Sequence, residues 1–185
     1  RLTDAVRHLR AEEITGTIDT AVDIANGLGD EVIVVGLSMS GAGATWAAQM
    51  RPEVDRVVLL SPFLALPKVP RVANSALRNW ANILPNLSPW WDPKLREELE
   101  GPDHAYARFS THAVAQSLRV ADFSIQEAAR RKPPIRKALS ITSATDSAIN
   151  HRRVTELLDR WRAHGIEVES IEFPPEAGVL HDFVD

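Results

Sequence analysis

The sequence predicts an α/β fold, a parallel sheet flanked by helices and interrupted by a helical insertion, on three observations. Two β-branched runs, Glu31–Val35 (EVIVV) and Arg56–Leu60 (RVVLL), bracket a small-residue stretch of helix length. That strand–helix–strand order implies parallel pairing through a right-handed crossover. From Leu64 to about Pro134 no buried-strand run occurs and helical periodicity takes over; from Ala138 the alternation of strand and helix returns.

The elements follow in order. Leu2, Ala5, Val6 and Leu9 recur at helical spacing and predict a short opening helix. Ile18, Ala21, Val22, Ala25 and Leu28 predict a second, stopped by Gly29. The EVIVV run predicts a strand covered on both faces. It passes through Gly36 into a helix from Ser40 to Met50, ended by Pro52, and RVVLL then predicts another buried strand. In the insertion Leu77, Trp80, Ala81 and Leu84 form one helical stripe. Pro93–Glu100 forms a short helix, and Val114, Leu118, Ala121 and Ile125 form a third. Prolines 67, 70, 85, 89 and 93 punctuate its first half, and Pro133 and Pro134 close it. Ala138–Thr142 (ALSIT) predicts a strand. Asn150 caps a helix whose Val154, Leu157, Leu158 and Trp161 face the core, Gly165 ends it, and Ile166–Phe173 alternates as an edge strand does. The expected organisation is a core part over 1–63, a cap or lid insertion over 64–134 and a second core part over 135–185. An insertion of that length exceeds ordinary connections.

Composition narrows the function classes. The chain of 185 residues is 44% apolar and 25% charged, the profile of one globular domain. A net charge of −4 argues against nucleic acid as a main partner, since a phosphate reader needs a basic face. No window approaches about 18 uninterrupted apolar residues, so no membrane span is expected. The chain has no cysteine, which removes disulfides, thiolate nucleophiles and cysteine metal sites. That does not fix the compartment, although a cytoplasmic location is favoured, and oligomeric state is not written in the sequence.

The sharpest feature is Val34-Val35-Gly36-Leu37-Ser38-Met39-Ser40-Gly41-Ala42-Gly43. A buried strand ends, a Gly-x-Ser-x-Ser-Gly turn follows, and a helix begins at once. In such a nucleophile elbow the serine sits in a strained turn and projects into the cleft at the carboxyl end of the sheet. Residues two before and two after must be small, which Gly36 and Ser40 satisfy. The helix N-terminus adds positive potential, and the Met39 backbone N–H is the expected oxyanion donor. The competing structural reading is a Gly/Ser-rich nucleotide loop. Gly36 and Gly41 have P-loop spacing, but no Lys-Ser/Thr pair follows and the G-x-G-x-x-G spacing is absent.

The GLSMSG stretch resembles the GLSMGG-type elbow of α/β-hydrolases, in particular the esterase and monoacylglycerol-lipase-like branch, with Ser40 in place of the usual glycine. The resemblance implies a partial α/β-hydrolase fold and a chain order of serine, acid, histidine. Asp146, in Ser143-Ala144-Thr145-Asp146 after the ALSIT strand, stands where the acid is expected. A turn or N-cap aspartate is its structural alternative. His181, eight residues past Phe173 in a Val-Leu-His-Asp-Phe segment, stands where the family's histidine loop is expected. His8, His104, His112, His151 and His164 compete with it. His151 and His164 fall on the polar side of an amphipathic helix, where a solvated histidine is the ordinary case. The implied activity is hydrolysis of a small-molecule carboxylic ester, of apolar character, through Ser38, His181 and Asp146, with no cofactor and no metal.

Two features qualify that expectation. Only 37 residues precede Ser38, without the further strands and His-Gly loop that supply a second oxyanion donor, so a fragment of a longer hydrolase or a minimal domain is expected. A non-catalytic ligand-binding relative and other serine chemistry on the same fold are the alternatives. Trp80, Trp90 and Trp91 lie in the insertion, either as its own small core or as an apolar roof over the substrate, and Phe63 is placed to wall the site.

Overall fold

The computed structural model describes residues 5–70, 74, 76, 83–90, 108–181 and 183. A 3-10 turn, Ala5–His8, stands where the opening helix is predicted. It is followed by α1 (Ala11–Asn26), β1 (Ile33–Leu37), α2 (Met39–Met50), β2 (Arg56–Leu60), α3 (Thr111–Arg130), β3 (Lys137–Ser143), α4 (His151–Ala163), β4 (Glu167–Phe173) and a second 3-10 turn, Pro175–Ala177. The predicted Pro93–Glu100 helix and most of the Leu77–Leu84 stripe lie outside the described residues. Among the described residues no helix is long and apolar enough to cross a membrane.

The strands pair in chain order, β1-β2-β3-β4, and every pair is parallel. All four carboxyl ends therefore share one edge of the sheet. β1 starts two residues later than the EVIVV run. Its register opposite β2 runs from Ile33↔Arg56 to Leu37↔Leu60, while Val32 is held by the Asp55 carboxylate at its N–H, 2.9 Å. α1 ends at Gly27 rather than Gly29. Asn150 caps α4 as predicted, its side chain accepting from the Arg153 N–H, and Ser110 does the same for α3 at the Ala113 N–H.

The core lies on one side of the sheet. Val57, Leu59 and Ala138 point into a cluster with Val22 of α1, Ala42, Ala44, Ala47 and Ala48 of α2, Ala121, Ile125 and Ala128 of α3, and Leu157, Leu158 and Trp161 of α4. Each fully buried large side chain here contributes about 1.5–3 kcal/mol. Alanines on both helices let α3 lie close against α2, so the third stripe of the 64–134 span packs into the core of the sheet. Trp161 is wholly buried and donates its indole N–H to Gln49 Oε1 at 3.1 Å.

Among the described residues no helix packs on the opposite face, so the two-sided cover expected of the first strands is seen on one side only. Register places Val35, Val58, Leu139 and Glu169 in one row and Leu37, Leu60, Ile141 and Ile171 in the next. Val35 is 59% and Ile171 47% exposed. All four described helices pack on the other face. The EVIVV pattern reports composition suited to two-sided burial, and the described residues supply one side of it.

Candidate active site

β1 ends at Leu37 and α2 begins at Met39, leaving Ser38 alone at the reversal with φ 52° and ψ −118°. A non-glycine residue held there costs about 1–3 kcal/mol and persists only where its surroundings impose it. They do. The Ser38 N–H donates to Leu60 O at 3.0 Å, and its carbonyl accepts from the N–H groups of Gly41 (3.0 Å) and Phe63 (2.8 Å). The bend closes because flanking side chains are missing. A Cβ on Gly36 would stand 2.7 Å from Ala44 Cβ, and one on Gly41 2.7 Å from Pro62 Cβ. Ser40 does more than fit the turn: its hydroxyl donates to Leu37 O at 2.7 Å and accepts from Leu37 N–H at 2.9 Å, bracing the residue before Ser38.

Asp146 lies in the loop after β3. Its N–H donates to Ser143 O at 3.0 Å, and its Oδ1 accepts from the Ala148 N–H at 2.9 Å. Its Oδ2 stands 2.7 Å from His181 Nδ1, and the other ring nitrogen, Nε2, stands 2.8 Å from Ser38 Oγ. The Asp146 side chain is 1% exposed. Burial pushes its carboxyl up, but the hydrogen bond to His181, the nearby Ser61 hydroxyl and the Ala148 N–H together outweigh burial and hold it below the ordinary carboxylate range. With Nδ1–H donating to that carboxylate, Nε2 is left to accept the Ser38 proton. The three residues singled out from the sequence thus meet in one line, from chain positions as much as 143 residues apart. The turn role of Asp146 holds as well, through Ala148.

Phe63 is buried with Val114 and Leu118, and Met39, Leu66 and Phe109 pack on them, so an apolar cluster begins one residue from Ser38. Trp90 bridges to Arg108, whose guanidinium lies 5.8 Å from the ring centroid. Trp80 and Trp91 lie outside the described residues. A cleft of about 380 Å³ bordered by Leu64, Leu118, Asp122, Asn150 and Arg153 includes none of Ser38, Asp146 or His181. Asp122 and Glu156 bind the Arg153 guanidinium there.

Two residues at this edge escape sequence reasoning. Ser61 is fully buried at φ 38°, its N–H donating to Ile141 O at 2.8 Å. Its hydroxyl makes no hydrogen bond of good geometry, yet it lies near enough to draw the Asp146 carboxyl down. A serine between a buried strand and a proline is its only trace in the sequence. His151, expected to be solvated, donates its Nε2–H to the Asp146 carbonyl oxygen at 3.0 Å. His164 likewise reaches back to Ala128 O at 3.1 Å.

The model of the Hydrolase_4 family (serine aminopeptidase, S33) matches residues 10–173. The chain belongs to this α/β-hydrolase family. Among solved structures, this S33-family chain is similar to a monoacylglycerol lipase of Paleococcus ferrophilus at 24% identity and a TM-score of 0.67, covering 94% of this chain and 68% of that one. A structure reported for the metagenome-derived lipolytic enzymes LipS and LipT matches at 21% identity and a TM-score of 0.63, over 91% of this chain and 64% of that one. A monoglyceride lipase of Saccharomyces cerevisiae matches at 12% and 0.63, over 92% and 60%. At these identities the likeness is one of fold. The S33-family chain spans about two thirds of the length of these structures. No curated protein matches it.

Proposed function

We propose that this chain carries the reactive centre of a serine hydrolase that cleaves a carboxylic ester of apolar character. The observation that carries the reading is Ser38 on a strained turn, 2.8 Å from an imidazole whose other nitrogen is 2.7 Å from a buried carboxylate. In this reading His181 takes the Ser38 proton as Oγ attacks the ester carbonyl. The charge on the carbonyl oxygen develops against the Met39 N–H at the start of α2, the first donor of an oxyanion site. His181 then protonates the leaving alcohol, and water repeats the sequence to release the acid. Asp146 keeps the proton on Nδ1 and stabilises the imidazolium. The cluster of Phe63, Met39, Val114 and Leu118 receives the acyl chain. Leu66 and Phe109, from the described part of the 64–134 span, pack on that cluster and supply its cap side.

The lipase and esterase names of the structural neighbours support ester hydrolysis. The family's description as an aminopeptidase supports a second reading, amide cleavage by the same residues. A fluorophosphonate probe is expected to label the protein at Ser38 and to fail on Ser38→Ala; labelling that survives the substitution rejects the assignment. Hydrolysis of p-nitrophenyl butyrate without hydrolysis of aminoacyl p-nitroanilides selects the ester reading, and the reverse selects the amide.

A further inference from the structure

The acid loop is held by more than its own turn. Asp146 has its N–H on Ser143, its Oδ1 on Ala148 and its Oδ2 on His181, which leaves the backbone carbonyl. That carbonyl is met by His151 Nε2 at 3.0 Å, from the first residue of α4. On the other side of the ring, Nδ1 stands 3.5 Å from Glu172 Oε2 on β4, an ion pair when the ring is protonated. A chain therefore runs from Glu172 through His151 to the Asp146 backbone, and from the Asp146 carboxylate through His181 to Ser38.

We propose that His151 is a positioning residue for Asp146: its Nε2–H pins the carbonyl of the acid, and so fixes the direction in which the carboxylate meets His181. The proposal rests on the reading of Ser38, Asp146 and His181 above. His151 touches neither substrate nor reacting atoms. It acts through the loop, where a carboxylate displaced by a fraction of an ångström leaves the imidazole free to swing from the serine. Without the ring, the Asp146 carbonyl loses its one side-chain donor among the described residues, and the loop is held in this conformation less firmly.

The test compares two polar replacements in the full protein. His151→Gln places an amide N–H within reach of the carbonyl, whereas His151→Asn is one methylene shorter and does not reach it. His151→Asn is expected to lower kcat for p-nitrophenyl butyrate by up to about tenfold, the range of one lost hydrogen bond. KM should stay within about twofold, because only the oriented charge is disturbed. Inactivation by fluorophosphonate should slow in parallel, and His151→Gln should restore most of the lost rate. Equal kcat in His151→Asn and the parent overturns the proposal, as does an equal loss in both variants, which marks a structural role alone. If Ser38→Ala still labels, it is the reading of the site that has failed, whatever the His151 variants do.

Discussion

Ser38 and Ser61 both hold positive φ, 52° and 38°, at the ends of adjacent strands, and only Ser38 presents a hydroxyl to a hydrogen-bonding partner. The strain at Ser61, together with its buried, poorly satisfied hydroxyl, has a stability cost that glycine would remove. Ser61→Gly is accordingly expected to raise the melting temperature while slowing ester hydrolysis, because Asp146 loses a group that favours its ionised form; calorimetry and kcat on one preparation check both. Asp146 gives a prediction with a definite sign. Its carboxyl is held below the ordinary range when folded, so the stability it brings is complete above the unfolded value of about 3.9 and drains away as pH falls through the folded value. Asp146→Asn should flatten the acid limb of unfolding free energy against pH in urea titrations. It should also cut kcat by roughly 10⁴ through the wrong imidazole tautomer. Ser38, Asp146 and His181 were legible because each occupies a fixed place after a strand. Ser61 and His151 were not, since a buried hydroxyl and a ring bound to a backbone carbonyl leave no mark in spacing or polarity.

At the scale of elements, the Ser61–Phe63 turn after β2 does the joining. Ser61 borders the acid, Pro62 lies against Gly41 in the first turn of α2, and the Phe63 N–H holds the Ser38 carbonyl. Gly41→Ala would put a methyl 2.7 Å from Pro62 Cβ and 2.8 Å from its Cα. The expected loss is about 1–3 kcal/mol, with slower fluorophosphonate labelling as the turn moves, measurable by denaturant melts and labelling rates. Helical periodicity and β-branched runs placed most described elements in the sequence, with β1 displaced by two residues because pairing with β2 decides where a strand starts. The assignment of the Val114–Ile125 stripe to an insertion failed to anticipate its packing on α2. Periodicity reports that a helix has an apolar face and says nothing of which surface that face meets.

At the scale of the whole sheet, one face is left uncovered by the described residues. Parallel sheets are ordinarily buried on both sides, and here Ile33, Val35 and Ile171 are about half exposed on one. A 1–185 polypeptide studied by itself is expected to bind an apolar dye and to self-associate as concentration rises. Val35→Lys with Ile171→Lys should suppress both with little change in melting temperature; sedimentation velocity and dye titration check this, and association unchanged by both lysines would place the sticky surface elsewhere. The fold class and parallel order were readable from the sequence, whereas one-sided coverage was not, because a strand's composition carries no record of which neighbour covers it.

The distance along the chain between Ser38 and His181 has a consequence for the protein's birth. Ser38 leaves the ribosome 143 residues before His181, and by the time His181 emerges the four described strands have been laid down in spatial order. On the proposed reading the Ser38 hydroxyl lacks its imidazole through that interval, so a chain terminated before His181 is expected to be unreactive. A released chain ending at Phe173 should refuse a fluorophosphonate that a chain carrying His181 accepts, read by labelling of the two products side by side.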